Sequence, residues 1–255
     1  MKTWANSGTV SGHFIETKDN FISNQIRGLN YLEKYSFLKH DLKKTKDFIY
    51  SNLSEFGKFK ESKVLVIGGG PTCNSSNWNS ENYDYIFSCN HFFLNDKVKK
   101  CKVDLCLICD EVDILKEDFL NYVKKNNTLV GFEDYNKPAS NVEKLNKEIP
   151  DKVFCALSRF QGKIGVGPKL IALALILGAK KVDFAGIDGA PKNYRQGEKS
   201  KHSFQKDKIF VNSYPYELII DHYKVFKNYI LNDIGINAEI NNLGAGHEYN
   251  CFSKV

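Results

Sequence analysis

The apolar positions change rhythm along the chain. From about Asn20 to Phe56 they recur at three- and four-residue steps: Ile22, Ile26, Leu29, Leu32, Tyr35 and Leu38, then Leu42, Phe48, Ile49 and Leu53. That spacing predicts one or two amphipathic helices, with Gly57 as the stop. Val64–Ile67 is then a continuous apolar run that halts at Gly68, Gly69, Gly70 and Pro71. Short β-rich runs follow at Tyr85–Ser88, Val103–Ile108, Thr128–Phe132, Lys152–Ala156, Val182–Ala185 and Ala238–Ile240. Amphipathic segments separate several of them, at Leu115–Lys125, Ala139–Lys147, Lys169–Leu177 and Tyr216–Leu231. Unbroken apolar strands alternating with helices predict a mostly parallel sheet covered on both faces. The expected architecture is α/β: a Rossmann-like domain over residues 59–255, preceded by a helical extension over residues 1–58. Asp188–Lys208 shows no periodicity and many turn formers, which marks a mobile functional loop.

Composition narrows this picture. A chain of 255 residues can bury a core without disulfides or a structural metal. With 42% hydrophobic and 13% aromatic residues it is neither disordered nor fibrous. The net charge of +6 suits anionic substrates such as nucleotides and does not imply nucleic-acid binding. Seven cysteines form no framework. The longest apolar stretch, Leu170–Leu177, falls far below the roughly 20 residues of a membrane span. The opening residues carry no apolar signal region. The expectation is a cytoplasmic protein with reduced thiols.

Five places along the chain could carry chemistry. The turn Gly68–Thr72 follows the first strand, where glycines let the backbone fold sharply and come close to a ligand, and where exposed N–H groups can hold a phosphate or ribose. It is neither a Walker A loop nor a clean G-x-G-x-x-G, because Asn74 stands where the third glycine would be. A tight turn without a ligand is the alternative, but the place after the first strand of a doubly wound sheet favours a ligand. Asn90 ends the second strand and offers a donor and an acceptor together. Cys106 and Cys109 stand three apart, which on a strand points them to opposite faces, so buried structural thiols are expected rather than a zinc pair. Asp110, at the end of that strand, could meet a ligand hydroxyl or a metal, or cap the next helix. The small residues Gly165, Val166 and Gly167 lead into an apolar helix whose N-terminus suits an anion. Finally, Asp188 ends the strand Val182–Ala185 ahead of a loop holding Tyr194, Arg195, Lys201 and His202. His222 and His247 are expected to be structural.

Three of these segments together resemble a known family. Ile67–Thr72, Ser88–Phe92 and Gly167–Asp188 are similar to the bacterial sialyltransferases of glycosyltransferase family 42. They also resemble the related DUF115 group, which holds flagellin glycosyltransferases and archaeal hydroxymethylpterin pyrophosphokinases. The resemblance spans roughly residues 60–250. It implies transfer of an acidic sugar from a CMP-activated donor to a glycan acceptor, in surface-polysaccharide synthesis. By that resemblance Gly68, Gly70, Pro71, Thr72, Asn90, Gly165, Val166 and Gly167 would bind the nucleotide, and Gly69 and Asp110 join them as candidates from their place in the pattern. Tyr194, Arg195 and Lys201 would steady the leaving phosphate, and His202 or Asp188 would serve as base. No metal is expected. Under the alternative of a pyrophosphokinase, Mg²⁺ would bridge ATP phosphates between Asp110 and Asp188. A non-catalytic nucleotide-binding module is the third reading. A place beside a membrane surface and an oligomer are both compatible with the chain.

Overall fold

The structure is a computed structural model that describes residues 53–109, 112–132, 139–155, 165–189, 195–205, 209–211, 214–235 and 237–244. Most of the helical extension expected over residues 1–58 lies outside them. In chain order the strands are β1 (Lys63–Ile67), β2 (Tyr85–Cys89), β3 (Leu105–Leu107), β4 (Leu129–Phe132), β5 (Val153–Cys155), β6 (Lys181–Ala185), β7 (Lys199–Lys201), β8 (Ile209–Val211) and β9 (Glu239–Asn242). Seven of them form one sheet in the order β5-β4-β3-β2-β1-β6-β9. Every pairing in that sheet is parallel. The fold is therefore α/β, as the pattern predicts.

Burial explains the unbroken apolar runs. Val64, Leu65, Val66 and Ile67 are all fully buried, so both faces of β1 are covered. The helices are α1 (Leu53–Phe56), α2 (Thr72–Ser75), α3 (Glu117–Asn126), α4 (Ala139–Glu148), α5 (Val166–Ile176) and α6 (Tyr216–Tyr229). Helix α5 packs against β1, β2, β3 and β6, and Leu170–Ile176 are buried, which accounts for its apolar circumference. Gly165 precedes it at φ +86°, a conformation that favours glycine. Pro168 sits in its first turn, where a missing N–H costs nothing.

Strand order fixes where a ligand can lie. The chain leaves β1 through β2, β3, β4 and β5 on one side, then returns to lay β6 on the other. In such sheets the crevice opens at the carboxyl edge where the order reverses, here between β1 and β6.

Part of the segment expected to lack regular structure is folded. Lys199–Lys201 and Ile209–Val211 pair as an antiparallel ribbon, Ser200 opposite Phe210. The alternation in Lys-Ser-Lys is too short and polar to signal a strand, and the pairing supplies what periodicity does not.

The chain just ahead of β1 belongs to the core. Phe59 is fully buried and meets Tyr85 and Phe87 edge-on, each at 4.9 Å between ring centres. Phe56 meets Phe154 edge-on at 5.1 Å. Lys152 donates to Glu55 at 2.8 Å, and this bond, opposed in part by burial, holds the Glu55 carboxyl below its usual range. Phe59→Ala should destabilise the fold by about 3–5 kcal/mol, read as a shift of the urea midpoint at constant slope. A loss below about 1 kcal/mol would mean that this segment is only loosely docked.

Candidate active site

The parallel register brings distant residues to one edge. Ile67 pairs with Ser88 of β2 and with Ala185 of β6. Two or three residues further along lie Gly69 and Gly70, Asn90, and Asp188. The ladder alone therefore sets the glycine turn between an asparagine and an aspartate.

The turn after β1 presses against the end of β6. Gly68 N–H donates to the Ala185 carbonyl and Gly70 N–H to the Gly186 carbonyl, both at 2.8 Å. A side chain at Gly68 would run into the Gly186 carbonyl and the Ile187 side chain. Gly186 itself adopts φ +68° against the Gly68 carbonyl. A side chain at Gly70 would strike the Asp188 carboxylate. Gly68 and Gly70 are thus demanded by the approach of two strand ends. On the far side, Ile187 also lies where a side chain at Gly167 would go, so it stacks between the turn and the start of α5.

Asp188 latches the turn in place. Thr72 N–H donates to Asp188 Oδ2 at 3.1 Å, and Thr72 Oγ1 donates a short hydrogen bond to Oδ1. The same Oγ1 accepts from Gly186 N–H at 2.9 Å. These residues are 116 positions apart in sequence. Gly244, beyond β9, covers the pair where a side chain would collide with Thr72. Burial raises the Asp188 carboxyl above its ordinary value, and the two bonds from Thr72 oppose that rise. The Thr72 hydroxyl is therefore spent on the latch. The Asp188 carboxylate, with both oxygens facing Thr72, orients the turn before it can touch a ligand.

His202 and Ser203 clip the ribbon segment onto the same turn. Ser203 N–H donates to the Gly69 carbonyl and Ser203 Oγ to the Gly70 carbonyl, both at 2.8 Å. The His202 ring fills the space that a side chain at Gly69 would need. Its Nδ1 accepts from Phe204 N–H at 3.3 Å, and Phe204 is buried beneath it. An acceptor at Nδ1 leaves the proton of the neutral ring on Nε2. Asn95 holds the clip from behind. This buried side chain donates to the Ser203 carbonyl at 2.8 Å and to Asn74 Oδ1 at 3.0 Å. Its own oxygen accepts from the N–H groups of Lys97 and Val98.

Asn90 stands just past the end of β2. It adopts φ +53°, a conformation open to Asn. Its Oδ1 accepts from Cys109 N–H at 2.9 Å, which fixes the side chain at the edge of the sheet. Cys106 is fully buried in β3 with its thiol pushed well up by burial, and Cys109 lies beyond the strand end. Among the described residues no group of three or more His, Cys, Asp or Glu could hold a metal ion, and no helix is long and apolar enough to cross a membrane. Arg195 is exposed. Lys201 lies on β7, while Tyr194, Asp110, His247 and the side chain of Lys201 fall outside the described residues. His222 is buried on α6.

Sequence reasoning missed Asn74, Asn95 and Ser203. Asn95 follows Phe92–Leu94 in a short turn, and nothing in a lone polar residue there announces four hydrogen bonds. Pro71, Asn74, the turn Leu94–Lys97 and the pair His202–Ser203 enclose an open cleft of about 590 Å³.

No family model matches this chain, and no curated protein does. Solved structures do resemble it. The sialyltransferase CstII from Campylobacter jejuni in complex with cytidine-5'-monophosphate is 17% identical, with a TM-score of 0.49 over 72% of this chain and 81% of that one. The monofunctional α-2,3-sialyltransferase Cst-I from the same organism is 16% identical, with a TM-score of 0.48 over 73% and 77%. A CST-II variant in complex with CMP is 19% identical, with a TM-score of 0.39 over 50% and 60%.

Two outcomes follow from the latch and the clip. Because burial raises the folded-state pKa of Asp188 above 3.8, the folded chain holds its proton more tightly than the unfolded chain. Its contribution to stability is then fully present below 3.8 and is lost as pH rises through the raised value. The stability of the wild type relative to Asp188→Asn should therefore fall across that window, measured by urea unfolding at stepped pH. A difference that grows with pH would contradict the burial argument. Gly69→Ala should expel the His202 ring while leaving the sheet intact. The expected sign is a large change in the His202 imidazole NMR signals with an unchanged circular dichroism spectrum.

Proposed function

We propose that this chain is a glycosyltransferase that takes an acidic sugar from a CMP-activated donor and passes it to a glycan acceptor. The observation that carries the reading is that the parallel register sets the turn Gly68–Thr72 between Asn90 and the end of β6, where Ile187 lies against both Gly68 and Gly167 at the start of α5. The same segments carry the sequence resemblance to family 42.

In this reading the nucleotide lies along the carboxyl edge. The Asn90 NH₂ serves as a donor to the base or ribose. Backbone N–H groups at the α5 N-terminus hold the single phosphate, and Arg195, Lys201 and Tyr194 are the side chains proposed to steady it as it leaves. The anomeric C–O bond to phosphate breaks, and its electron pair leaves with CMP. An acceptor oxygen forms the new bond to the same carbon and gives up its proton to a base. His202 is the proposed base. To accept that proton the ring must give up its bond from Phe204 N–H, which costs about 1 kcal/mol. Asp188 acts through Thr72 as a positioning residue. Metal-independence, a cytoplasmic location and a place in surface-polysaccharide synthesis belong to the same proposal.

CMP should raise the melting temperature more than UDP or GDP, and should do so in EDTA. At about 100 times Kd it should add roughly 2.7 kcal/mol. Equal shifts from all nucleotides, or strict dependence on Mg²⁺, would count against the reading. His202→Ala should lower turnover by ~10²–10⁴ with CMP affinity nearly intact. Unchanged turnover would remove His202 from the chemistry.

A further inference from the structure

Asn95 and His202 hold the two ends of one peptide group. Asn95 Nδ2 donates to the Ser203 carbonyl at 2.8 Å. The N–H of that same peptide unit belongs to Phe204, and it donates to His202 Nδ1 at 3.3 Å. A trans peptide is planar, with its C=O and N–H pointing opposite ways. Holding the carbonyl therefore aims the N–H.

The Asn95 amide has one arrangement here. Lys97 N–H and Val98 N–H both reach the same side-chain atom at 3.0 Å, so that atom is the oxygen. The other is the NH₂, and its two protons go to the Ser203 carbonyl and to Asn74 Oδ1. The side chain is buried and all four of its bonds are made. Turning it would leave buried polar groups unpaired.

Ser203 cannot do this alone. Its N–H and Oγ bind the Gly69 and Gly70 carbonyls, which leaves the peptide that follows it to rotate. Asn95 removes that freedom. Bonds in a row also polarise one another, so an amide on the carbonyl strengthens the N–H as a donor. Nδ1 then stays an acceptor, and the proton of the neutral ring stays on Nε2, which faces Gly69.

We propose that Asn95 is the positioning residue of His202: through the Ser203–Phe204 peptide it fixes the angle of the imidazole and its Nε2–H tautomer. Its part in turnover rests on the glycosyltransferase reading above. Without Asn95 the ring samples other angles, and only a fraction of molecules present it to the reacting groups.

The test reads the full chain by ¹⁵N NMR at about pH 9, where an ordinary imidazole is neutral. The wild type should show His202 protonated on Nε2 and bare on Nδ1. Asn95→Asp keeps an oxygen for the Lys97 and Val98 N–H groups and loses both donors. Asn95→Ser is neutral, keeps a capping oxygen and is too short to span to the Ser203 carbonyl. In either variant the Phe204 amide should exchange about tenfold faster, while the amides of β1 keep their protection. The two ring-nitrogen signals should move toward each other. Asn74→Ala, which removes only the other acceptor of Asn95, should leave both readings in place. With a CMP-sugar donor, kcat of Asn95→Ser should fall about tenfold at nearly unchanged KM. A wild-type ring protonated on Nδ1 overturns the proposal. So does an unchanged ring and Phe204 amide in whichever variant folds, an equal response in Asn74→Ala, or an unchanged kcat beside an altered ring. A ring that answers to Asn95 in a wild type that turns over no CMP-sugar strikes the glycosyltransferase reading and leaves the tautomer assignment standing.

Discussion

The hydrogen bonds between Thr72 and Asp188 join the turn after β1 to the end of β6, and the site is arranged around that join. Parallel neighbours share a register, so two strand ends will always lie side by side. Their loops need not touch. Here Thr72 offers both N–H and hydroxyl to one carboxylate, and the hydroxyl returns an acceptor to Gly186 N–H. With Gly68 and Gly70 also bonded to β6, the turn cannot swing open without breaking several bonds at once. Burial works against the charge on Asp188, and the bonds from Thr72 offset part of that cost.

The sheet was readable from sequence because a strand buried on both faces has few ways to look. Val64–Ile67 and Val182–Ala185 are such runs, and they pair directly. The positions of Asn90 and Asp188 at strand ends were readable for the same reason. The ribbon at Lys199–Lys201 was not, since three polar residues gain their order only from a partner ten residues away.

The glycines have a structural cause that pattern reading does not supply. A cluster after a first strand suggests close approach of a ligand, and on their Cβ sides Gly68, Gly69 and Gly70 each face a group of the protein: the Gly186 carbonyl, the His202 ring and the Asp188 carboxylate. His202 was readable as a candidate from its place after Asp188. Its seat on Gly69 depends on Ser203 and Asn95, whose bonds span more than a hundred residues and leave no local trace.

The central claim is that a nucleotide sits at the carboxyl edge of β1 and β2 beside the start of α5. Amide chemical-shift mapping of the ¹⁵N-labelled chain during a CMP titration tests it most directly. The account predicts the largest shifts at Gly68–Thr72, Asn90 and Gly165–Gly167, with those at Leu94–Lys97 small. Shifts centred on Leu94–Lys97, or spread without focus over the surface, would contradict it.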